Sequence, residues 1–325
     1  MKELLADYYN IQAQENIFMN GREGFKQDNF LYFTISADFK EIIHMEQASA
    51  AYFLVENNYT QVAYPIQNLN GDWFTRYYGK HYLVLKAAFA ASGHGKSEGK
   101  ALANLHQAGV EYPFEPREIS SYGQWKQLWI DKLTAFENKI KLDAEEVPGE
   151  WSQLLADVLP YIIGISENAI QYMQESEGEK RFSEVDQGTI GLRRYSGKIM
   201  DGFVWTHELV YDHAARDLAE FIRYSLLQVN DPMKKIRDFL NEYQEERQLS
   251  VFSWRLIYAR LIFPIHLFDA IEQGYINSGS SASERVREMQ DLMERQGDYE
   301  RRLGKFFDEA GVDCERLQIP VLHWL

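Results

Sequence analysis

The sequence predicts an α+β protein in two lobes: a small β-rich front over residues 1–87, and a large, mostly helical rear over 88–325 with an embedded β-ribbon near 189–205. Three observations predict it. Short aromatic and β-branched runs, bounded by Asn, Asp and Gly, crowd the front of the chain around a single helical pattern. From Ser97 onward, apolar residues recur almost throughout at the spacing of amphipathic helices. That pattern yields once, over 182–206, to two short apolar segments joined by a Ser-Gly turn. With 325 residues the chain has room for two domains or one large bilobal one, and the groove between two lobes is the expected place for a ligand.

In the front, the run 30–35 (Phe-Leu-Tyr-Phe-Thr-Ile) reads as a strand entered through the turn Asp28-Asn29. Residues 39–57 read as the helix, with Ile42, Ile43, Met45, Ala48, Ala51, Tyr52 and Val55 at helical intervals. Strands follow at 62–66 and 73–78, separated by Asn68-Leu69-Asn70-Gly71, and at 81–85. In the rear, helices are expected over 98–108, stopped by Gly109, and over 125–142 and 151–175, with Pro148-Gly149 between them. Further helices are expected over 214–228, 232–248, 251–274 and 283–310. The ribbon segments are 189–192 and 202–205, and the Ser-rich stretch 278–283 reads as a connector. Trp125, Trp129, Trp151, Tyr8, Tyr9, Tyr77 and Tyr78 fall at helix or strand positions and are expected in the core.

Charge and composition exclude several functions. Forty-nine acids against thirty-four bases give a net charge of −15, a field that repels nucleic-acid phosphates and anionic lipid headgroups. The Arg and Lys residues between Arg285 and Lys305 alternate with acids, as on a solvated helix face. A single cysteine, Cys314, allows no disulfide framework, and none of the eight histidines stands at His-x-x-x-His spacing, so no zinc motif is present. The first residues, MKELLADYYNIQAQEN, lack the apolar stretch of a signal peptide, and no apolar run approaches the ~20 residues of a membrane span. No nucleic-acid or membrane partner is expected. One phosphate motif comes close: Ala90-Ala91-Ser92-Gly93-His94-Gly95-Lys96-Ser97 lies between a strand and a helix, where a P-loop belongs. Its first glycine is replaced by Ala90, so the stretch reads as a hinge with Ser97 as helix N-cap, and Lys96 as no phosphate ligand.

Three further stretches carry a resemblance. Glu98-Gly-Lys-Ala-Leu-Ala-Asn-Leu-His106, Asp217-Leu-Ala-Glu220 and Arg255-Leu-Ile-Tyr-Ala-Arg-Leu-Ile-Phe-Pro-Ile-His266 are similar to successive helices of the aminoglycoside phosphotransferase and choline kinase branch of the protein-kinase-like fold. With the terminal Ile319-Pro-Val-Leu-His-Trp-Leu325, nearly the whole chain resembles the YutH-type endospore coat-associated proteins, relatives of the CotS coat proteins. The resemblance implies a bilobal kinase-like fold, with 1–87 as its N-lobe and 88–325 as its C-lobe. It also implies a place in the spore coat, synthesis in the mother-cell cytoplasm, and other coat proteins as partners.

It further implies a set of parts for phosphoryl transfer: a lysine on the third strand, a catalytic aspartate, an asparagine five residues later and a metal-binding aspartate. The strand lysine is expected at Thr34 or its neighbour Ile35, and no lysine occurs between Lys26 and Lys40. The catalytic loop falls on Phe182-Ser183-Glu184, which puts Glu184 at the aspartate and Thr189 at the asparagine. Trp205 takes the metal aspartate's place, twelve residues before Asp217 as in the family; a competing register gives that place to Asp201. An indole cannot coordinate Mg²⁺, which takes carboxylate and water oxygens. Four parts are substituted, three of them by uncharged side chains, so no catalytic residue, metal or cofactor is expected and the chain reads as a pseudokinase serving coat assembly. The alternative is a small-molecule phosphotransferase with a rearranged ATP and Mg²⁺ site built from Glu184, Asp186, Asp201 or Glu208. A third reading is a module that retains a small molecule without turning it over.

Overall fold

The structure, a computed structural model, describes residues 1–88, 97–197, 199, 202–276 and 281–322. Lys96 with the rest of the 90–96 near-P-loop, Asp201, and part of the connector 278–283 lie outside the described residues. Two compact units emerge, both discontinuous in sequence. The first comprises Met1–Ser121, Gly188–His213 and Glu242–Arg247, and the second Tyr122–Gln187, Ala214–Asn241 and Gln248–Leu325. The expected boundary near residue 87 is therefore not where the contacts divide. A helix past that point and the ribbon strands belong with the front sheet.

In the first unit, helix α1 (Lys2–Tyr9) precedes strands β1 (Glu15–Met19), β2 (Arg22–Gln27) and β3 (Phe30–Ser36). Helix α2 (Glu41–Glu56), strands β4 (Val62–Ile66), β5 (Phe74–Tyr77) and β6 (Lys80–Ala88), and helix α3 (Glu98–Val110) follow. Neither α1 nor the β1–β2 hairpin was expected. The hairpin turns on Asn20 and Gly21, both at positive φ (49° and 76°), the pairing that matches a tight turn to the twist of its strands. Tyr78, expected in the core, instead sits at φ 46° beside Gly79 in the β5–β6 turn and is 86% exposed. Ser97 occupies the N-cap of α3 with extended backbone, but its hydroxyl makes no bond to the helix.

The sheet runs β1-β2-β3-β6-β4, with β5 paired to β6. The ribbon supplies β7 (Thr189–Leu192), β8 (Val204–Trp205) and β9 (Leu209–Asp212). β8 pairs in parallel with β4 at the sheet's edge, and β7 pairs antiparallel with β9. Because side chains alternate along a strand, the sheet has two buried faces. Leu31, Phe33 and Ile35 of β3 share one with Ala63, Leu83, Leu85, Phe203 and Trp205. Tyr32 and Val84 share the other with Leu4 and Leu5 of α1. Asp212, buried at the end of β9, accepts from the N–H of its neighbour His213 (2.7 Å) and from Ser121 Oγ (3.0 Å).

The second unit is helical: α4 (Trp125–Glu146), α5 (Glu150–Gly178), α6 (Ala215–Gln228), most of α7 (Pro232–Glu246), α8 (Val251–Ile262), α9 (Ile265–Ile276), α10 (Ala282–Gly304), α11 (Phe306–Ala310) and α12 (Cys314–Leu317). The single helix expected over 251–274 is two, α8 and α9. Pro264 has no N–H to continue the ladder and drives Phe263 out of the helical region (φ −61°, ψ 120°). Buried Glu220 accepts from Arg223 (3.1 Å) and Arg260 (3.0 Å), so these cations enter the core paired. No single described helix is long and apolar enough to cross a membrane; α8 and α9 together would pass on length and composition, but most of α8 is buried in this unit.

Candidate functional site

The expected phosphoryl-transfer positions are best followed from β3. Thr34 pairs with Val84 and so shares the face covered by α1, away from Trp205. Ile35 and Phe33 share the other face, and it is Phe33 that meets Trp205, ring centroid to ring centroid at 4.7 Å and edge-on. Phe203 completes the trio, 5.6 Å from Phe33 and 4.9 Å from Trp205. Gly24 on β2 makes room: a Cβ there would run into the Phe33 ring. A one-residue step along a strand reverses the face, which is why the position opposite Trp205 is aromatic rather than Thr34.

Trp205 is only 3% exposed. Arg22, the first residue of β2, lays its guanidinium over the indole at 5.5 Å and donates from Nη2 to His207 Nε2 at 2.8 Å. Burial first, and then the neighbouring Arg22 charge, push the His207 imidazole down to about 3, so it is neutral at ordinary pH and accepts this bond. A cavity of about 380 Å³ opens here within the first unit, walled by Arg22, Arg194, Tyr195, Phe203, Trp205 and Glu208 among others. Partial withdrawal from water raises the Glu208 carboxyl above its usual range, while Arg22 pulls it back.

The other expected positions do different work. Thr189 is buried, and its hydroxyl donates to the His106 carbonyl of α3 at 2.7 Å. At the same contact Gly109 allows α3 to lie against β7. In the second unit, Glu184 begins a 3-10 turn (Glu184–Asp186) and is exposed, as is Phe182 beside it. The buried carboxylate of that loop is Asp186. It accepts from Ser183 N (2.7 Å), from Ser253 Oγ (2.6 Å) and from Ser250 Oγ (2.6 and 2.8 Å to its two oxygens). Ser250 is also the N-cap of α8, its Oγ accepting from Ser253 N. Asp186 thus ties the loop to the start of α8.

These residues do not fit a Mg²⁺–nucleotide centre. In the register that puts the metal aspartate at 205 the position carries an indole, the hydroxyl of Thr189 is committed to a carbonyl, and the β3 position facing Trp205 carries a phenyl ring. Among the described residues no group of three or more His, Cys, Asp or Glu side chains is placed to hold a metal ion.

Comparison with known proteins agrees with this architecture. Residues 2–306 match the family described as "Spore coat putative kinase YutH". This chain belongs to that family. The endospore coat-associated protein YutH of Bacillus subtilis (strain 168) is 30% identical, over 100% of this chain and 98% of the relative. Among solved structures, an aminoglycoside phosphotransferase from Alicyclobacillus acidocaldarius superposes with a TM-score of 0.66 at 12% identity, covering 96% of each chain. Spectinomycin phosphotransferase, solved with ADP and its antibiotic, gives 0.57 at 16% identity over 89% of this chain and 92% of its own. At such identities the likeness concerns the fold alone. Sequence reasoning missed three residues of the site: Phe33, Arg22 and His207. The Asn20-Gly21 turn was the signal that could have placed Arg22 at the start of a hairpin strand.

Proposed function

We propose that the chain is a coat-associated pseudokinase, a structural and interaction protein of the developing endospore that carries out no metal-dependent phosphoryl transfer. The observation that carries this reading is Trp205, buried in an aromatic cluster where the fold would keep its metal carboxylate. Each metal or charge contact missing from a phosphoryl-transfer site leaves several kcal/mol of transition-state charge unbalanced. Membership of the YutH family supports the coat association. The partners are other coat proteins, reached from the mother-cell cytoplasm.

The test is thermal unfolding with and without millimolar ATP and Mg²⁺. A ligand at a hundred times its dissociation constant adds about 2.7 kcal/mol, a clear shift in midpoint. No metal-dependent shift is expected. A shift that requires both, and is lost in Glu184→Ala or Glu208→Ala, would replace this reading with a rearranged phosphotransferase. In that alternative the raised Glu208 carboxyl beside the cavity is the group best placed to serve.

A further inference from the structure

We propose that the cavity beside Trp205 binds a small organic oxyanion, a phosphate monoester or carboxylate on an apolar body, with no divalent metal. The proposal rests on the reading above that the site holds no metal, and takes up what the remaining charges can do.

The argument starts from Arg22. A guanidinium has five N–H donors in a rigid fork that matches phosphate and carboxylate oxygens. Arg22 spends one of them on His207 Nε2 and lies against the Trp205 ring, so its position is set by two contacts. Both contacts are electrically neutral. His207 accepts as an uncharged imidazole, since burial holds its pKa at about 3. Had a carboxylate held Arg22, its charge would be cancelled. Held by a neutral ring, it is bonded to no carboxylate among the described residues, and the Glu208 carboxyl is the described acid that feels its charge. A second guanidinium, Arg194, lies on the same wall.

The rest of the cavity suits the remainder of such a ligand. Leu192, Phe203 and Trp205 give it an apolar side. Its volume of about 380 Å³ lies at the low end of small-molecule sites, which run from roughly 300 to 1,000 Å³, and takes a single-ring compound. Glu208 is the opposing charge on the wall. It sets the sign of a second variant, because removing it should favour an anion.

The experiment is calorimetric titration of the full chain in EDTA with phenyl phosphate, benzoate and, as the uncharged control, phenol. Saturable binding of phenyl phosphate, benzoate or both, unaffected by added Mg²⁺ and absent with phenol, is expected; which acid binds assigns the head group. Arg22→Gln should weaken binding about tenfold or more, as loss of a charge-assisted fork implies. Glu208→Gln, which leaves Arg22 in place, should tighten it. Equal binding of phenol, no binding of either acid, or affinities indifferent to both variants would overturn the proposal. Absence of binding here, with no response to ATP and Mg²⁺, removes only this inference. Binding that requires Mg²⁺ instead removes the non-catalytic reading on which it rests.

Discussion

Asp186 is the place to separate structural from catalytic use of the Glu184–Asp186 turn. Its carboxylate accepts three donors at 2.6–2.8 Å: Ser183 N, Ser250 Oγ and Ser253 Oγ. Hydrogen bonds to a charged acceptor contribute about 1.5–3 kcal/mol each, against about 1 for neutral ones. Asp186→Asn keeps the shape. Its oxygen can still face Ser183 N while its NH₂ meets a serine hydroxyl that can turn to accept. The loss is then the charge assistance, about 1 kcal/mol per bond, partly offset because no carboxylate has to be desolvated. We expect Asp186→Asn to cost about 2 kcal/mol, and Asp186→Ala, which leaves the donors unmatched, about 4. Glu184→Gln, at an exposed position of the same turn, should stay within about 0.5. Urea denaturation at pH 7 measures all three, and hydrogen exchange at the Ser183 and Ser253 amides reports whether the tie itself has opened. Asp186→Asn stability within 0.5 kcal/mol of the parent, with both amides still protected, would refute the tie.

Three other expectations follow from single contacts. Burial, and then the Arg223 charge, hold the His266 imidazole down to about 3 while its ring bonds Gln296 at 2.7 Å; the unfolded chain takes up that proton below about pH 6.5, so this stability is present above pH 6.5 and lost as pH falls toward 3. Between pH 8 and pH 5 the loss is about 2 kcal/mol, and urea midpoints of His266→Gln should show a slope smaller by that amount. Gly109→Ala should destabilise by about 1–3 kcal/mol in thermal unfolding although alanine favours helices, because the new Cβ would lie 2.5 Å from Ile190 N. Trp205→Asp should unfold more easily by about 3–5 kcal/mol and gain no ATP- and Mg²⁺-dependent shift, since it empties the indole's place against Phe33 and Phe203 and puts a polar group there.

Much of the fold was legible because helices and strands announce themselves by period. β3, α2 and β4 were found within a few residues, and β7 and β8 end where the apolar segments 189–192 and 202–205 do. Two elements at the front were not. β1 is mostly exposed, so Glu15–Met19 carries little apolar alternation, and α1 is only eight residues long. At 251–274 the apolar residues ran on through Pro264, and the break was written in that proline rather than in the period. Trp205 was singled out by its distance from Asp217, and the structure buries it at the wall of a cavity. The face of β3 was not legible, because a strand's register depends on its partners: only the pairing of Thr34 with Val84 shows that Phe33 turns toward the indole. Arg22 and His207 lie 185 residues apart, and no local pattern joins them.

The side chains at the expected positions pack on one another, and this gives the site its character. Phe33 fits because Gly24 has no side chain, and Trp205 is buried because Phe33 and Phe203 close on it. A carboxylate placed at 205 would therefore meet Phe33 and Phe203 as well as Arg22. Mg²⁺ needs carboxylates to hold it, whereas Arg22 on a neutral histidine and an indole favours an anion directly. On the reading proposed above, a pocket with aromatic rings at the expected carboxylate position and a guanidinium at its wall keeps a means of recognising an acid.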